Sequence, residues 1–299
     1  FYRGNQRHKR DAVNYKNIKM PKLSIITINY NNLEGLKRTV ESVINQTWQE
    51  FEYLVIDGGS TDGSAAYIDS KSEHLNYWVS EPDQGVYYAM NKGIEVATGE
   101  YLLFLNSGDV LYNNNILLTT KKSLLLDMDI VYGDLWIEGE QGKGFRNRYP
   151  DFIDFPFLKQ TSLGHSSTFM KKELFYTYGL YRTDLKIVSD WAFFVKVFCM
   201  HKVSHCKIDH IIAAFYEGGL STSTVYHKQH IEERKKVLLE NFDIYDASFE
   251  ELFMKFERQK ELVNQLDQGI EILVTNKQLL KILNSIIRVF GLVLKKKRS

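Results

Sequence analysis

Four polar clusters recur along the first third of the chain, and each carries a side-chain carboxylate or carboxamide. They are Asn29 in Asn29-Tyr30-Asn31-Asn32, Asp57 in Asp57-Gly58-Gly59-Ser60-Thr61-Asp62-Gly63, Asp83 after Glu81-Pro82, and Asp109 in Asn106-Ser107-Gly108-Asp109. One such residue alone reads as a turn or helix cap, because Asp and Asn are favoured there. Taken together, hard oxygen ligands of this kind suit Mg or Mn, which take one or two carboxylates plus substrate phosphates. A divalent cation on Asp109 would neutralise a diphosphate. Nothing resembling Gly-x-Gly-x-x-Gly opens the first helix, and there is no Gly-Lys-Ser/Thr loop. Dinucleotide oxidoreductases and P-loop ATPases are therefore disfavoured.

The elements that must position these clusters follow from hydrophobic periodicity. Residues 23–28 form an apolar run that reads as a buried strand. Leu33, Leu36, Val40, Val43 and Ile44 then recur at helical spacing. Further strands are expected at 51–56, 75–79, 101–105 and 130–134. Asp83 can cap a helix with Val86, Ala89, Met90, Ile94 and Ala97 on its apolar face, stopped by Gly99. Alternating strands and helices with short connections imply a parallel sheet of βαβ units, here a Rossmann-like α/β half over residues 20–135. In such sheets ligands bind beyond the carboxyl ends of the strands, and the four clusters fall at four successive strand ends. Residues 136–227 read as a mixed α and β half, with a short strand at 168–170, and residues 228–299 as largely helical.

Composition sets wider bounds. Of 299 residues, 44% are hydrophobic and 25% charged, an ordinary globular balance. The net charge of +1 argues against a nucleic-acid protein. With residues 1–22 at +6 and 288–298 at +5, the rest of the chain stands at −10. Two cysteines, Cys199 and Cys206, fit a reducing compartment. His201 and His205 lie between them, but the spacing matches no common zinc site. Residues 1–19 are polar and lack an apolar h-region, so no secretory signal is expected. They read as a tail, with Met20 as the natural start or the frame extended upstream.

Residues 23–29, 56–64, Asn91-Lys92-Gly93 and Leu105-Asn106-Ser107-Gly108-Asp109 resemble, in order, the motifs of inverting family 2 glycosyltransferases with the GT-A fold. The stretch 81–93 resembles the capsule, colanic-acid and exopolysaccharide branch of that family. The resemblance covers about residues 22–225. It implies a Rossmann-like mixed sheet flanked by helices, with a C-terminal helical extension. It implies that Thr27, Asn29 and Glu34 line the nucleotide pocket and that Asp57 reads a uracil or guanine base. Asp83 and Asn91 would flank ribose and diphosphate, with Ser60, Asn106 and Ser107 completing the donor site. Asp109 matches the last acid of the family's Asp-x-Asp motif and would hold Mg or Mn. His227 is a further candidate metal or phosphate ligand. Gly218-Gly219-Leu220-Ser221 matches a flexible loop that follows the catalytic base. Two positions depart from the pattern: the first acid of Asp-x-Asp is absent, and Tyr88 stands where the branch often has Asp.

Asp190, in Val188-Ser189-Asp190-Trp191, is by position an acid complementing a helix dipole. Inversion by direct displacement, however, needs a carboxylate to accept the acceptor hydroxyl's proton, and the resemblance points to Asp190 as that base. His165, Trp191 and Gly219 are candidate acceptor or phosphate contacts. For His165 a structural role, satisfied by backbone, is the alternative.

Residues 277–294 hold 11 apolar residues in 18, with Leu279, Ile282, Ile286, Phe290 and Val293 on one face and Lys281, Asn284 and Arg288 on the other. Followed by Lys295, Lys296, Lys297 and Arg298, this reads as an interfacial helix on an anionic membrane. A helix docked on the body or on a second copy is the alternative. The resulting expectation is a transferase, peripheral at the cytoplasmic face of the plasma membrane. It would move a sugar from a nucleoside-diphosphate sugar to a saccharide or lipid-linked saccharide. The rivals are a sugar-1-phosphate nucleotidyltransferase, whose Gly-rich basic loop residues 27–32 lack, and a non-catalytic nucleotide-binding scaffold.

Overall fold

The computed structural model of the chain describes residues 22–139, 143–216, 226–242, 258–259 and 265–266. Two compact units divide the chain, Phe1–Arg234 and Lys235–Ser299. The expected tail at 1–19, the loop holding Gly219 and the amphipathic segment 277–298 lie outside the described residues.

The first unit is built on one mixed sheet. β1 (Leu23–Asn29), β2 (Phe51–Asp57), β3 (Tyr77–Ser80) and β4 (Tyr101–Phe104) are mutually parallel, in the order β3-β2-β1-β4. All seven residues of β1 are buried. That is what an unbroken apolar strand requires when helices cover both faces of a parallel sheet. α1 (Leu33–Ile44), α2 (Ser64–Ser70) and α3 (Val86–Val96) make the crossovers. Of the periodic set read in the sequence, α1 buries Leu36, Val40 and Val43, while Leu33 and Ile44 are half-buried. β1 lies between β2 and β4, so the chain winds one way from β1 and then crosses back. This topological switch opens a crevice at the carboxyl ends of β1 and β4.

The sheet continues without a break into the second half, in the order β4-β8-β6-β9-β5. β8 (Thr168–Lys171) is antiparallel to both β4 and β6 (Ile130–Glu138), and β9 (His205–Tyr216) runs parallel to β6. β5 (Val110–Leu111) pairs with β9, and β7 (Phe145–Asn147) with β6. The boundary expected at residue 135 falls inside β6. Buried Asp134 ties this region together: it accepts from Arg146 Nε at 2.6 Å and from the Tyr149 N–H at 3.1 Å, with Lys207 Nζ at 3.4 Å. Short helices α4 (Ile116–Thr120), α5 (Phe155–Gln160) and α6 (Glu173–Tyr178) fill the connections. The helix expected to follow Asp190 is α7 (Ser189–Phe194), continued by a π-helical turn, Val195–Met200. α8 spans His227–Asn241.

Candidate active site

β1 and β2 end in register, Asn29 opposite Asp57. Their side chains extend the pairing. Asn29 Nδ2 donates to Asp57 Oδ1 at 2.7 Å and to Ser60 Oγ at 3.2 Å. Asp57 is fully buried and also accepts from Ser60 Oγ at 2.6 Å, the Ser60 N–H at 2.9 Å and Ser80 Oγ at 2.6 Å. Burial raises the pKa of this carboxyl, but the four donors outweigh it and hold it below the usual carboxylate range. Asp57 therefore keeps its charge while its acceptor sites are occupied from within the fold. The loop after β2 packs tightly on the loop after β3. Gly59 has φ +78°, and a Cβ there would lie 2.9 Å from the Pro82 nitrogen. Asp83 sits against this loop, and its Oδ1 accepts from the Gly85 N–H at 2.8 Å, ahead of α3.

The loop after β4 carries the second group. Gly108 turns it with φ +113°, a conformation that glycine adopts without strain. Thr39 of α1 holds the turn: its Oγ1 accepts from the Gly108 N–H at 2.9 Å and donates to the Asp109 carbonyl at 2.7 Å. Asn32 links the two strand ends. It caps α1, accepting from the Gly35 N–H at 3.1 Å, and its Nδ2 donates to the Ser107 carbonyl at 2.9 Å. Asp109 ends up buried, with 6% of its side chain exposed. Burial pushes its pKa up to about 6, opposed by the charge of His165 and a hydrogen bond from Ser166.

His165 stands between Asp109 and Asp190. A single 3-10 turn, His165–Ser167, delivers it at the start of β8. Its Nδ1 is 3.3 Å from Asp190 Oδ2 and its Nε2 is 3.8 Å from Asp109 Oδ2. Burial lowers the pKa of the imidazole, but the Asp190 hydrogen bond and the two carboxylate charges win and raise it. Burial likewise raises Asp190, and His165, the Trp191 N–H and Tyr87 more than reverse it. The imidazole is thus flanked by two carboxylates that favour its protonated form, while Asp190 is held toward its ionised form with a fifth of its side chain (20%) exposed. Tyr87 of α3 completes it: its hydroxyl is 3.0 Å from Asp190 Oδ1 and 2.7 Å from the Ile187 carbonyl oxygen.

Among the described residues, six buried side-chain polar atoms lack a hydrogen-bond partner, and three of them belong to this crevice: Asn29 Oδ1, Asn106 Oδ1 and His165 Nε2. Buried polar atoms are nearly always paired, so a concentration of exceptions marks where a polar ligand belongs.

The sequence profile of Glycosyl transferase family 2 matches residues 24–184. A PGL/p-HBAD biosynthesis glycosyltransferase of Mycobacterium bovis is 31% identical over 212 residues, covering 69% of this chain and 81% of its own length. The chain belongs to glycosyl transferase family 2. An uncharacterized glycosyltransferase of Mycobacterium tuberculosis is 34% identical over 181 residues, 59% of this chain and 68% of that one. In fold, this glycosyltransferase resembles S. aureus TarS in complex with UDP-GlcNAc (TM-score 0.59, 18% identity, 76% of this chain and 69% of that chain). It also resembles the mannosyltransferase PcManGT of Pyrobaculum calidifontis in complex with GDP-Man and Mn2+ (TM-score 0.57, 15% identity, 77% and 66%). The likeness establishes the GT-A-type architecture expected from the sequence.

The transferase gathers some of its expected site residues and turns others away. Asn29, Asp57, Ser60, Asp83, Asn106, Ser107, Asp109, His165 and Asp190 sit on the strand-end loops or the facing half. Thr27 does not reach the crevice: it is fully buried and its Oγ1 is 3.1 Å from Tyr53 OH, inside the sheet packing. Glu34 is exposed in the first turn of α1, paired with Lys37 at 2.7 Å. Asn91 spends both ends of its amide on the Tyr181 backbone, at 2.8 and 3.0 Å, so it fixes a loop rather than facing ribose or diphosphate. Trp191 is 3% exposed and donates through Nε1 to the Leu158 carbonyl at 2.7 Å, which places its ring in the core. His227 opens α8, exposed, and no ion pair among the described residues joins it to Asp109. Tyr87 and Thr39 went unrecognised as site residues in the sequence.

The residues around Asp109 fit a divalent ion. A buried carboxylate with a raised pKa is a charge in need of a counter-charge, and the unpartnered Asn106 Oδ1 is a second hard oxygen in the same loop. Among the described residues no cluster of three His, Cys, Asp or Glu side chains forms. An ion here would accordingly depend on donor phosphates for its remaining ligands.

Proposed function

We propose that this family 2 enzyme moves a sugar from a UDP- or GDP-sugar to a saccharide or lipid-linked saccharide, with inversion at the anomeric carbon. The observation that carries the reading is the Asp109–His165–Asp190 chain at the switch-point crevice: one carboxylate beside the expected diphosphate, the other ionised and open to an acceptor. In the single displacement, the acceptor oxygen attacks the anomeric carbon as the bond to the diphosphate oxygen breaks. Asp190 takes the acceptor's proton, while His165 and Tyr87 hold its two oxygens in place. Asn29 and Ser60, ordered around Asp57, supply the nucleotide end of the crevice. Asp109 and Asn106 would hold Mg or Mn, which when bound neutralises charge on the departing diphosphate. Neighbours of the same fold have been obtained with UDP, UDP-GlcNAc and GDP-Man.

The stretch 81–93 favours capsule or exopolysaccharide assembly as the setting. The relative named for PGL/p-HBAD biosynthesis favours a pathway of that kind as the second reading. No described helix is long and apolar enough to cross a membrane. Attachment to the inner membrane face rests on the apolar and basic residues of 277–298.

A panel of sugar nucleotides, with and without Mn, tests the donor reading. Ligand at a hundred times its Kd stabilises the native state by about 2.7 kcal/mol. The matching donor should therefore raise the melting temperature by several degrees, and sugar-1-phosphates with nucleoside triphosphates should not. The Mn-dependent part should shrink as pH falls through about 6, because protons then compete for Asp109. A Mn-dependent shift unchanged between pH 5 and 8 would count against Asp109 as its ligand.

A further inference from the structure

Asp190 sits at the start of α7, and the residue preceding the helix gives it no cap. Val188 occupies the N-cap position, and its side chain has no oxygen to accept from the first backbone N–H groups. The backbone that leads into the helix is instead held by a residue more than forty positions away. Glu233 of α8 is 8% exposed, and its carboxylate receives the backbone N–H groups of Lys186 at 3.0 Å, Ile187 at 3.0 Å and Val188 at 3.3 Å. Gln229, one turn earlier, donates to the same carboxylate at 2.8 Å and fixes its orientation. Glu233 is thus saturated with donors and has no free lone pair with which to act as a base itself.

The next residue grips the other side of Asp190. The Arg234 guanidinium lies 4.3 Å over the Trp191 ring and donates to the carbonyls of Leu158 and Thr161, the latter at 3.0 Å. From the opposite face Tyr87 holds the Ile187 carbonyl and the Asp190 carboxylate. The segment 186–191 is therefore clamped on both sequence sides of Asp190 by two adjacent residues of α8. Both lie beyond the stretch matched by the family profile.

We propose that Glu233 is a positioning residue for the reaction: it caps the segment 186–188 in trans and so fixes where the Asp190 carboxylate stands relative to the acceptor hydroxyl. A charged acceptor fits this place because three convergent N–H groups form charge-assisted bonds with a carboxylate. An amide would turn its NH2 toward at least one of them. The inference rests on Asp190 being the base.

The test is Glu233→Gln in the full chain, alone and combined with Asp190→Asn. Transfer rate, donor affinity by calorimetry and melting temperature would be read for each variant. Misplacing a reacting group by about 1 Å can cost on the order of 100-fold in rate. Glu233→Gln should accordingly lower kcat by ~10–100-fold while the donor Kd stays within about twofold. In the Asp190→Asn background it should lower the residual rate no further. An equal loss in both backgrounds, or a matching loss of donor affinity, would show a general structural role and overturn the proposal. Wild-type kcat in Glu233→Gln, in a chain that Asp190→Asn inactivates, overturns it while leaving the base assignment intact. Near-normal turnover in Asp190→Asn overturns the base assignment itself, and this inference with it. If the Gln variant fails to fold, Glu233→Asp keeps the charge but shortens the reach, and an unchanged kcat there is equally fatal.

Discussion

Asp190→Asn should bind its sugar-nucleotide donor as the parent does and lose ~10²–10⁴-fold in turnover, the range that a positioned general base contributes. The substitution keeps the size and shape of the side chain, and its remaining oxygen can still accept from one of the two donors, His165 or Tyr87, that hold the carboxylate. It removes the lone pair and charge that accept the acceptor's proton. The loss should appear in kcat and not in donor affinity, because Asp190 stands in the first turn of α7 and makes no contact with the Asn29–Asp57–Ser60 cluster. The raised pKa of His165 owes part of its shift to Asp190, so the variant should also move the imidazole's titration down. NMR of the His165 ring reports that directly. Near-normal turnover, or a parallel loss of donor binding, would remove Asp190 from the role of base.

Asp109→Ala should abolish metal-dependent donor binding and lower turnover by roughly 10²–10³-fold, the cost of losing one preorganised electrostatic contact in a closed site. The effect on folding should have the opposite sign from most buried substitutions. Asp109 has its folded-state pKa raised above the unfolded value, so the folded protein binds the extra proton between about 4 and 6. Stability is therefore lost as pH rises through that window, and at pH 7 the ionised carboxylate opposes folding unless a cation offsets it. Without metal at pH 7, Asp109→Ala should melt no lower than the parent. Calorimetry with and without Mn, together with a thermal melt, separates the two effects. Equal donor affinity in both conditions, for both chains, would show that Asp109 holds no ion.

Much of the first half of the sheet was legible because two periodicities coincide there. Apolar runs mark strands, helical spacing marks crossovers, and the switch-point rule then gathers Asn29, Asp57, Asp83 and Asp109 without any knowledge of distances. What could not be read was the use each side chain makes of its neighbours. Thr27 alternates into the sheet interior and meets Tyr53, and Asn91 faces a backbone segment ninety residues downstream. Trp191 follows a catalytic candidate in sequence yet turns into the core. The same blindness hid Tyr87, whose partner is Asp190, and Glu233, whose partners lie on the α7 approach. β5 and β7 are two and three residues long, too short for any alternation to show. β9 carries register irregularities against β6 between Tyr132 and Leu135, which blur its period.

The central claim is that one carboxylate, acting as base, drives a single displacement at the anomeric carbon. The stereochemistry of the product tests it most directly. With an α-linked nucleoside-diphosphate sugar that the enzyme accepts, the anomeric proton and carbon of the first-formed product, read by NMR at early times, should show a β-glycoside. An α-glycoside would contradict direct displacement by an acceptor activated at Asp190.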